Sequence, residues 1–302
     1  MALSEEEVEK IVRAGRIASR VKSEVKRLVR AGMKYIELAS AVEERIRSLG
    51  GEPAFPCNIS VGEEAAHYSP LLDDSRAIPD TGILKVDIGV HVDGYLADTS
   101  ISIDFSGENE MLIQSVEEAL DRALDLIGPG TKVSAVGEVI EKTIGYYGFK
   151  PIRNLTGHAM ERYKLHTGFS IPNTKGGAGT IKPGMLLAIE PFATTGVGLV
   201  VDGAVKTIFS FSKPLTRKRG VNNAIGRVLE RIYLTRKSLP FTERWYVTAE
   251  LKSAFREALQ ILESNRTVIG YPVLVESSGQ QVAQAEDTVL VLDKEVIVTT
   301  RE

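Results

Sequence analysis

The chain has 302 residues, of which 43% are hydrophobic and 25% are charged, as in an ordinary globular protein of one or two domains. A formal net charge of −3 excludes a nucleic acid or a membrane as the dominant partner of the whole chain. Cys57 is the single cysteine, which excludes an internal disulfide framework and is typical of a reducing compartment. No signal peptide and no bilayer-spanning apolar segment is recognisable, so we expect a cytoplasmic protein.

Two helices followed by an irregular loop are predicted at the start of the chain. The tetrapeptide Ser4-Glu-Glu-Glu7 is a capping-box pattern, and the apolar residues behind it keep helical spacing up to Gly32. A second helix is predicted near residues 36–49, where a glycine pair follows. We expect an irregular, proline-containing loop over residues 52–80.

The central element is a hairpin around Asp93-Gly94, which lies between two β-favouring stretches. This dipeptide is typical of a two-residue type I′ turn, and that turn sets a register in which Gly89 lies opposite Asp98. Asp87 and Asp98 then share one face as a diagonal pair, with Cβ atoms roughly 7 Å apart. Because Gly89 has no side chain, we predict a space between two carboxylates, which is a candidate cation site.

An edge hairpin with both acids in water is the alternative interpretation. The flanking segments, Gly82 to Val86 and Thr99 to Ile103, are largely apolar or β-favouring and so indicate buried strands. Buried unpaired carboxylates are too costly to keep without a metal, a proton or a cationic partner, and no Lys or Arg lies between the two acids.

The following part of the chain repeats this plan at an offset of 98 residues. Helices are predicted over 110–127 and from about 133 to 147. Seven positions match like for like: Gly32 with Gly130, Lys34 with Lys132, Leu38 with Val136, Val42 with Ile140, Ile46 with Ile144, Gly50 with Gly148 and Pro53 with Pro151. A histidine-bearing loop and a strand with one acid follow each helix pair: His67 and Asp87, then His158, His166 and Glu190. We therefore predict an internal duplication whose acids converge on a shared sheet.

A helical, basic segment interrupts the pattern between residues 204 and 269. Residues 213–267 contain 12 Lys+Arg and 5 Asp+Glu, a net charge of +7 within a chain of −3. We interpret 204–269 as a small helical insertion subdomain on the surface, with residues 1–203 and 270–302 forming the main domain. A solvated basic surface is the simpler interpretation of the insertion, and contact with RNA or the ribosome is the sharper alternative.

Five residues scattered along the chain form a candidate set of metal ligands: Asp87, Asp98, His158, Glu190 and Glu286. Four carboxylates and one imidazole suit divalent Co, Mn, Fe or Zn better than Mg or Ca. Four carboxylates exceed the charge of one divalent ion, whereas two ions about 3.5–4 Å apart give near balance. The set therefore predicts a site for two divalent metal ions.

Four segments closely resemble the metal-binding segments of methionine aminopeptidases, in the same order and at similar intervals: Asp87 to Asp98, Asn154-Leu-Thr-Gly-His158, Ala188-Ile-Glu-Pro-Phe192 and Ala285-Glu-Asp-Thr-Val289. The helical insertion and Ala65-Ala-His-Tyr-Ser-Pro70 resemble the type 2 branch, and the short N-terminal extension resembles its archaeal form. The resemblance implies an α+β pita-bread fold, in which a curved, mostly antiparallel sheet has two pseudo-symmetric helix pairs behind it. The insertion adds a small helical subdomain to this catalytic fold.

The resemblance also implies a role for each candidate ligand. Asp87 would chelate one ion, His158 and Glu190 would bind the other, and Asp98 and Glu286 would bridge both. Glu190 would in addition be the general base that takes the proton from the attacking water.

The implied substrate site lies beside the metals. His67 and His166 would act in catalysis and substrate binding by flanking the scissile peptide, with His166 donating a hydrogen bond to its carbonyl or leaving nitrogen. The methionine pocket would be lined by Phe55, Leu165 and Tyr271. Cys57 is expected nearby, and His91, next to the hairpin turn, is expected to have no catalytic role.

The activity implied by the resemblance is removal of the N-terminal methionine from nascent proteins whose second residue is small. The expected partners are nascent polypeptide N-termini, with transient ribosome contact through the basic insertion, and neither membrane nor DNA. Two alternatives stay open. One is an X-Pro-cleaving relative, which typically carries a large extra N-terminal domain. The other is a non-catalytic homologue that binds RNA or ribosomal partners, a group marked by loss of metal ligands.

Overall fold

The computed structural model describes residues 3–215 and 223–301. The helices in these ranges are α1 (Glu5–Leu28), α2 (Tyr35–Ser48), α3 (Glu110–Leu126), α4 (Val133–Tyr146), α5 (Asn223–Arg236) and α6 (Lys252–Ser264), with a short 3-10 helix at Glu243–Trp245. The first strands are β1 (Glu52–Pro53), β2 (Asn58–Val61), β3 (Glu64–Ala66), β4 (Ile83–Val92), β5 (Tyr95–Asp104), β6 (Lys150–Pro151), β7 (Thr156–Met160) and β8 (Ser170–Pro172). The later strands are β9 (Leu186–Ile189), β10 (Phe192–Thr194), β11 (Val200–Phe211), β12 (Val268–Glu276), β13 (Val282–Gln284), β14 (Asp287–Val291) and β15 (Val296–Val298).

The predicted capping box starts α1. The Ser4 side chain accepts a hydrogen bond from the Glu7 backbone N–H, and the Glu7 carboxylate accepts one from the Ser4 N–H at 2.9 Å. These two bonds satisfy backbone donors that the first helical turn leaves free. The helix ends at Leu28, earlier than the spacing suggests, and the chain turns at Gly32, where φ is +80°.

The β4–β5 hairpin has the predicted register. Val92 pairs with Tyr95 and Gly89 with Asp98, and the turn residues Asp93 and Gly94 have φ values of +52° and +87°, as a type I′ turn requires. The even-numbered residues of β4, from Leu84 to Val92, pack in a core cluster with α1 and α2. Because strand side chains alternate between faces, the odd-numbered residues, including Asp87, lie on the opposite face.

The second half reproduces this arrangement with shorter strands. β9 lies between β14 and β7, and its residues Leu187 and Ile189 pack in a core cluster with α3 and α4. Leu186 and Ala188 join a different cluster on the other face, so Glu190 continues the face that points away from the helices. The predictions of two helix pairs and of antiparallel strands are confirmed, and all pairings between the described strands are antiparallel.

The segment 52–80, predicted as an irregular loop, contains three short strands, so that prediction was wrong in part. β1 and β2 both pair with β4, and β2 sets Asn58 directly opposite Asp87. β3 pairs with β12, which lies about 200 positions later in the chain. Strands of two to four residues are too short to show a clear alternation, and their partners are distant in sequence.

The region predicted as an insertion contains α5, the 3-10 helix and α6, which pack around their own cluster of apolar residues. These helices connect two long strands, β11 and β12, which pair with each other, and β12 also pairs with β3. The predicted boundaries at 204 and 269 fall inside those strands, and the division of the chain at these positions stays a prediction. Three basic residues of the segment, at 217–219, lie outside the described residues. No helix in the described ranges combines the length and hydrophobicity needed to cross a membrane.

Candidate metal centre

One cavity collects every predicted site residue. Its lining includes the ten side chains that the sequence singles out: Phe55, His67, Asp87, Asp98, His158, Leu165, His166, Glu190, Tyr271 and Glu286. Four further residues line it: Asn58, Ala66, Ile208 and Pro240. The space inside, counted with its open mouth, is about 510 Å³.

The two carboxylates of the hairpin lie on its cavity face, as the register predicts. A Cβ atom at Gly89 would come within 2.2 Å of the Phe55 ring, so this ring occupies the space opposite Asp98. The expectation that Gly89 leaves that space to a cation was therefore wrong. Gly89 instead allows an aromatic side chain to pack against the strand, and the space for a cation lies on the far side of the acids, towards the second half.

The second half brings an imidazole and two carboxylates to the same place. His158 Nε2 lies 3.6 Å from Asp98 Oδ2 and 3.6 Å from Glu190 Oε1, which is beyond hydrogen-bonding distance. The ligand atoms of Asp98, His158 and Glu286 all lie within 4.8 Å of one another. β7 and β14 flank β9 and set His158 and Thr288 opposite Ala188, so that Glu286 and Glu190 face each other one step beyond the paired residues.

Two carboxylate oxygens of this cluster lack hydrogen-bond partners. Asp87 Oδ1 and Asp98 Oδ1 are buried and accept no hydrogen bond. Unpaired buried carboxylate oxygens are expensive, and a divalent cation is the partner that four carboxylates and one imidazole suit. The residues present therefore fit a divalent metal site.

Burial and mutual repulsion shift the proton affinities of the cluster. Burial raises the pKa of Asp87 to about 7. Burial, with neighbouring carboxylates as the second cause, raises the pKa values of Asp98, Glu190 and Glu286 well above their ordinary range. Burial and the nearby His166 lower the pKa of His158, which keeps its imidazole neutral and able to coordinate. Four acids this close cannot all ionise alone, so metal binding must release protons.

Hydrogen bonds behind the cluster join the two halves at Asp98 and Glu286. The Thr288 hydroxyl accepts from the Asp98 N–H and donates to the Asp98 carbonyl, both at 2.7 Å. The carbonyl of Glu286 accepts from the Thr99 hydroxyl at 2.7 Å and from the Ser100 N–H at 3.3 Å. Outer contacts of this kind fix the orientation of metal ligands.

A buried charge network, which the sequence alone did not indicate, lies next to Glu286. The Asp287 carboxylate is 2% exposed and accepts from Lys22 Nζ at 2.6 Å, from Arg301 Nε at 2.6 Å and from the Thr300 hydroxyl at 2.8 Å. Lys22 lies on α1 and also donates to the Thr99 hydroxyl at 2.7 Å. These residues are separated by up to 279 positions, and no local pattern reports their contact.

Two further histidines and a tyrosine frame the mouth of the cavity. His67 has a φ of +68°, and its Nδ1 donates to the Pro272 carbonyl at 3.2 Å, because a carbonyl can only accept. Its ring packs edge-on against Tyr271 with centroids 5.7 Å apart. His166 packs against the ligand candidate His158 at 4.2 Å between centroids. Burial lowers the pKa of His67, and it lowers that of His166 to about 4, so both rings are neutral at pH 7.

Asn58 is the polar lining residue that the sequence did not single out. Its side chain is buried next to Asp87, and its Nδ2 donates to the Pro56 carbonyl at 3.0 Å while its Oδ1 has no partner. The signal was absent because the pairing of β2 with β4 was not predicted. Elsewhere, His91 accepts from the Gly94 N–H at 3.2 Å and supports the hairpin turn.

Strands of two sheets deliver four carboxylates and one imidazole to a solvent-open cavity, which defines a metallohydrolase. Comparison with known proteins narrows the class. The chain belongs to metallopeptidase family M24, whose family model matches residues 9–293. The family resemblance drawn from the sequence is confirmed.

Several archaeal proteins are similar to the chain over almost its whole length. The methionine aminopeptidase of Methanocaldococcus jannaschii is 44% identical over 97% of this chain and 98% of its own length. That of Thermococcus onnurineus is also 44% identical, over 98% and 100%. The methionine aminopeptidase of Saccharolobus solfataricus is 38% identical over 99% of both chains.

Solved structures with lower identity share the fold. A methionine aminopeptidase from Thermotoga maritima superposes with a TM-score of 0.71 at 22% identity, covering 100% of this chain and 99% of that one. A prolidase from Pyrococcus furiosus gives 0.63 at 18%, covering 100% and 65%. A thermophilic Arx1 gives 0.87 at 16%, covering 100% and 92%. The fold is the pita-bread fold, as predicted.

Proposed function

We propose that this chain is a type 2 methionine aminopeptidase, a dinuclear-metal exopeptidase that removes the N-terminal methionine from nascent proteins whose second residue is small. The observation that carries the proposal is the buried cluster of four carboxylates and one imidazole at the floor of a partly apolar cavity. The archaeal relatives named for this activity, similar over nearly the full chain, support it.

The proposed metal ligands divide between the two halves. Asp87 would hold one ion, His158 and Glu190 would hold the other, and Asp98 and Glu286 would contribute to both. This set of side chains suits divalent Co, Mn, Fe or Zn. When bound, such ions polarise a carbonyl oxygen and lower the pKa of water. The unpaired oxygens of Asp87 and Asp98 support this assignment, because each would gain a partner.

Glu190 is the proposed general base. Its carboxylate is 3.6 Å from His158 Nε2 and faces the cavity. Burial, followed by repulsion from Asp87, raises the pKa of Glu190. A carboxylate within reach of the attacking water can act as its general base. Glu190 takes a proton from the attacking water and passes it to the leaving amine.

His67 and His166 are proposed to hold the scissile peptide. Both rings are neutral, so each has one N–H donor and one acceptor nitrogen. The Nδ1–H of His67 is used by the Pro272 carbonyl, which leaves its Nε2 as an acceptor for the peptide N–H. His166 donates to the scissile carbonyl or to the leaving nitrogen.

The methionine side chain is proposed to occupy the apolar side of the cavity. Phe55 and Leu165 belong to one apolar cluster, and Tyr271 closes the wall beside His67. The substrate's N-terminal ammonium is attracted by the acids at the floor. Limited room beyond the metals restricts the second residue to small types.

The proposed partners are the N-termini of nascent polypeptides in the cytoplasm, with transient ribosome contact through the basic insertion. The net charge of +7 over residues 213–267 supports that contact, because a basic surface attracts RNA phosphates. Co-sedimentation with ribosomes at low and high salt tests it. A bound fraction that does not fall with salt would contradict an electrostatic contact.

Release of free methionine tests the activity. We expect the purified protein, supplied in turn with Co²⁺, Mn²⁺, Fe²⁺ and Zn²⁺, to release methionine from Met-Ala-Ser and much less from Met-Leu-Ser. An Ala-Pro-Ser peptide separates the proposal from an X-Pro-cleaving relative. Cleavage of that peptide alone would favour the relative, and inactivity on all three peptides with metal bound would favour a non-catalytic binding protein.

A further inference from the structure

The insertion contributes to the walls of the cavity through one short segment. Arg236–Pro240, which we call the clasp, joins α5 to the strand-like segment at Phe241. Pro240 lines the cavity, and Leu239 is fully buried in the same apolar cluster as Phe55 and Leu165. A segment of the insertion therefore packs directly against the proposed methionine pocket.

Arg236 binds the backbone on two sides of that pocket. Its NH1 donates to the Pro53 carbonyl at 2.8 Å, and its NH2 donates to the Ala54 carbonyl at 2.6 Å and to the Pro240 carbonyl at 2.8 Å. Pro53 and Ala54 immediately precede Phe55, whose ring packs on Gly89 beside the acids. One guanidinium thus ties the aromatic wall of the cavity to the proline wall.

The clasp also holds the loop that carries the third wall. Ser238 Oγ donates to the Tyr163 carbonyl at 2.5 Å, and Lys237 Nζ lies 3.5 Å from the centre of the Tyr163 ring. Leu165 and His166 follow two and three residues later and line the cavity.

Packing alone does not explain why a charged residue is buried at position 236. The side chain is 6% exposed, and no carboxylate of the described residues forms an ion pair with it; its partners are carbonyl dipoles and the Trp245 ring at 5.1 Å. Burying a guanidinium without a carboxylate costs stability, and an apolar side chain of similar volume would avoid that cost. What arginine adds is a rigid fork of donors that fixes several carbonyls at once.

We propose that Arg236 is a positioning residue for substrate recognition, which sets the spacing between Phe55 and Pro240 and so determines how tightly the first side chain of the substrate fits. This inference rests on the proposed function, because it takes the cavity to be the methionine pocket. It makes the insertion part of the specificity machinery as well as a surface subdomain. Arg236 does not touch the metal ligands, so it acts on binding more than on the chemical step.

The test compares Arg236→Met and Arg236→Lys with a control, Arg231→Met, which removes an exposed arginine from the same helix. KM and kcat are measured on Met-Ala-Ser and on the norleucine analogue, together with metal content and the melting temperature. We expect Arg236→Met to raise KM about tenfold, to change the methionine-to-norleucine ratio of kcat/KM, and to leave kcat within about threefold. Arg236→Lys should have a KM between those of the wild type and Arg236→Met, and Arg231→Met should have the wild-type KM.

Each outcome decides the proposal. A folded Arg236→Met protein with the wild-type KM and the wild-type methionine-to-norleucine ratio overturns it. If Arg236→Met does not fold, Arg236→Lys decides: a raised KM with normal metal content supports the positioning role, and a wild-type KM overturns it. Failure of the wild type to release methionine would be a failure of the proposed function, and it would be visible before any variant is made.

Discussion

The two halves of the fold deliver their ligand candidates in different ways. In the first half, Asp87 and Asp98 lie on one hairpin, eleven positions apart, and a two-residue turn fixes their pairing. In the second half, His158 lies on β7, while Glu190 follows β9 and Glu286 precedes β14, and the paired residues of these strands are up to 104 positions apart. The same helix-backed architecture thus produces one local and one non-local set of donors.

The difference shows which contacts hold the ligand candidates in position. The hairpin is buried and paired along ten residues of each strand, so its two acids are held by many backbone bonds. Glu190 and Glu286 lie at the ends of short strands. Contacts from the first half help to hold Glu286, because Thr99 and Ser100 both donate to its carbonyl. Perturbations should therefore distinguish the two sets of residues.

Removing metal should have the largest effect, because both halves depend on it. Chelation should abolish activity, and added divalent metal should restore it. The folded-state pKa of Asp87, about 7, lies above its unfolded value near 4, so the metal-free protein loses stability as pH rises through that range. Metal binds the ionised acids and has the opposite pH dependence.

We therefore expect the difference in melting temperature between metal-loaded and chelated protein to grow from about pH 5 to about pH 8, measured by circular dichroism. A difference that stays constant or shrinks over this range would contradict the assignment of these acids as ligands.

Glu190→Gln tests the proposed base in the second half. The change keeps the shape of the side chain but removes proton transfer, so kcat on Met-Ala-Ser should fall about 10²- to 10⁴-fold while the fold is retained. The matched control is Gln284→Ala. It removes a neighbour that donates to Glu286 at 3.3 Å and should affect kcat far less. Near-normal turnover in Glu190→Gln would exclude this residue as the base.

The two loop histidines allow a direct comparison between the halves. His67→Ala and His166→Ala should each lower kcat/KM by roughly 10- to 100-fold, because each loses one hydrogen bond to the scissile peptide. Metal content, measured by elemental analysis, should stay near that of the wild type. A metal-depleted variant would instead identify the mutated histidine as a ligand.

Lys22→Met should have the smallest effect of the four. It removes one charged donor from the buried Asp287 while Arg301 remains, at a cost of about 2 kcal/mol in the free energy of unfolding. Metal affinity should also weaken, because Lys22 supports Thr99, which bonds to the Glu286 carbonyl. The control is Lys26→Met, at an exposed position on the same helix. If both variants are equally stable in urea denaturation, the charge network around Asp287 does not contribute to stability as proposed.

Patterns between neighbouring residues predicted the local elements, and the sequence also supplied the set of ligand candidates. Ser4 and Glu7 specify the start of α1 within a single helical turn, and Asp93-Gly94 specifies the hairpin register, because both signals act between residues that are neighbours in the chain. The offset of 98 residues between the helix pairs and the family resemblance brought His158, Glu190 and Glu286 into the same candidate site.

Contacts between distant segments of the chain set what fills the space around those ligand candidates. Phe55 packs on Gly89, Asn58 lies opposite Asp87, and Arg236 holds the walls of the cavity across about 180 positions. Such contacts depend on shape and on hydrogen-bonding direction between segments that the chain brings together only when it folds. They leave no periodicity in the sequence, since burial and pairing are set by the partner rather than by neighbouring residues.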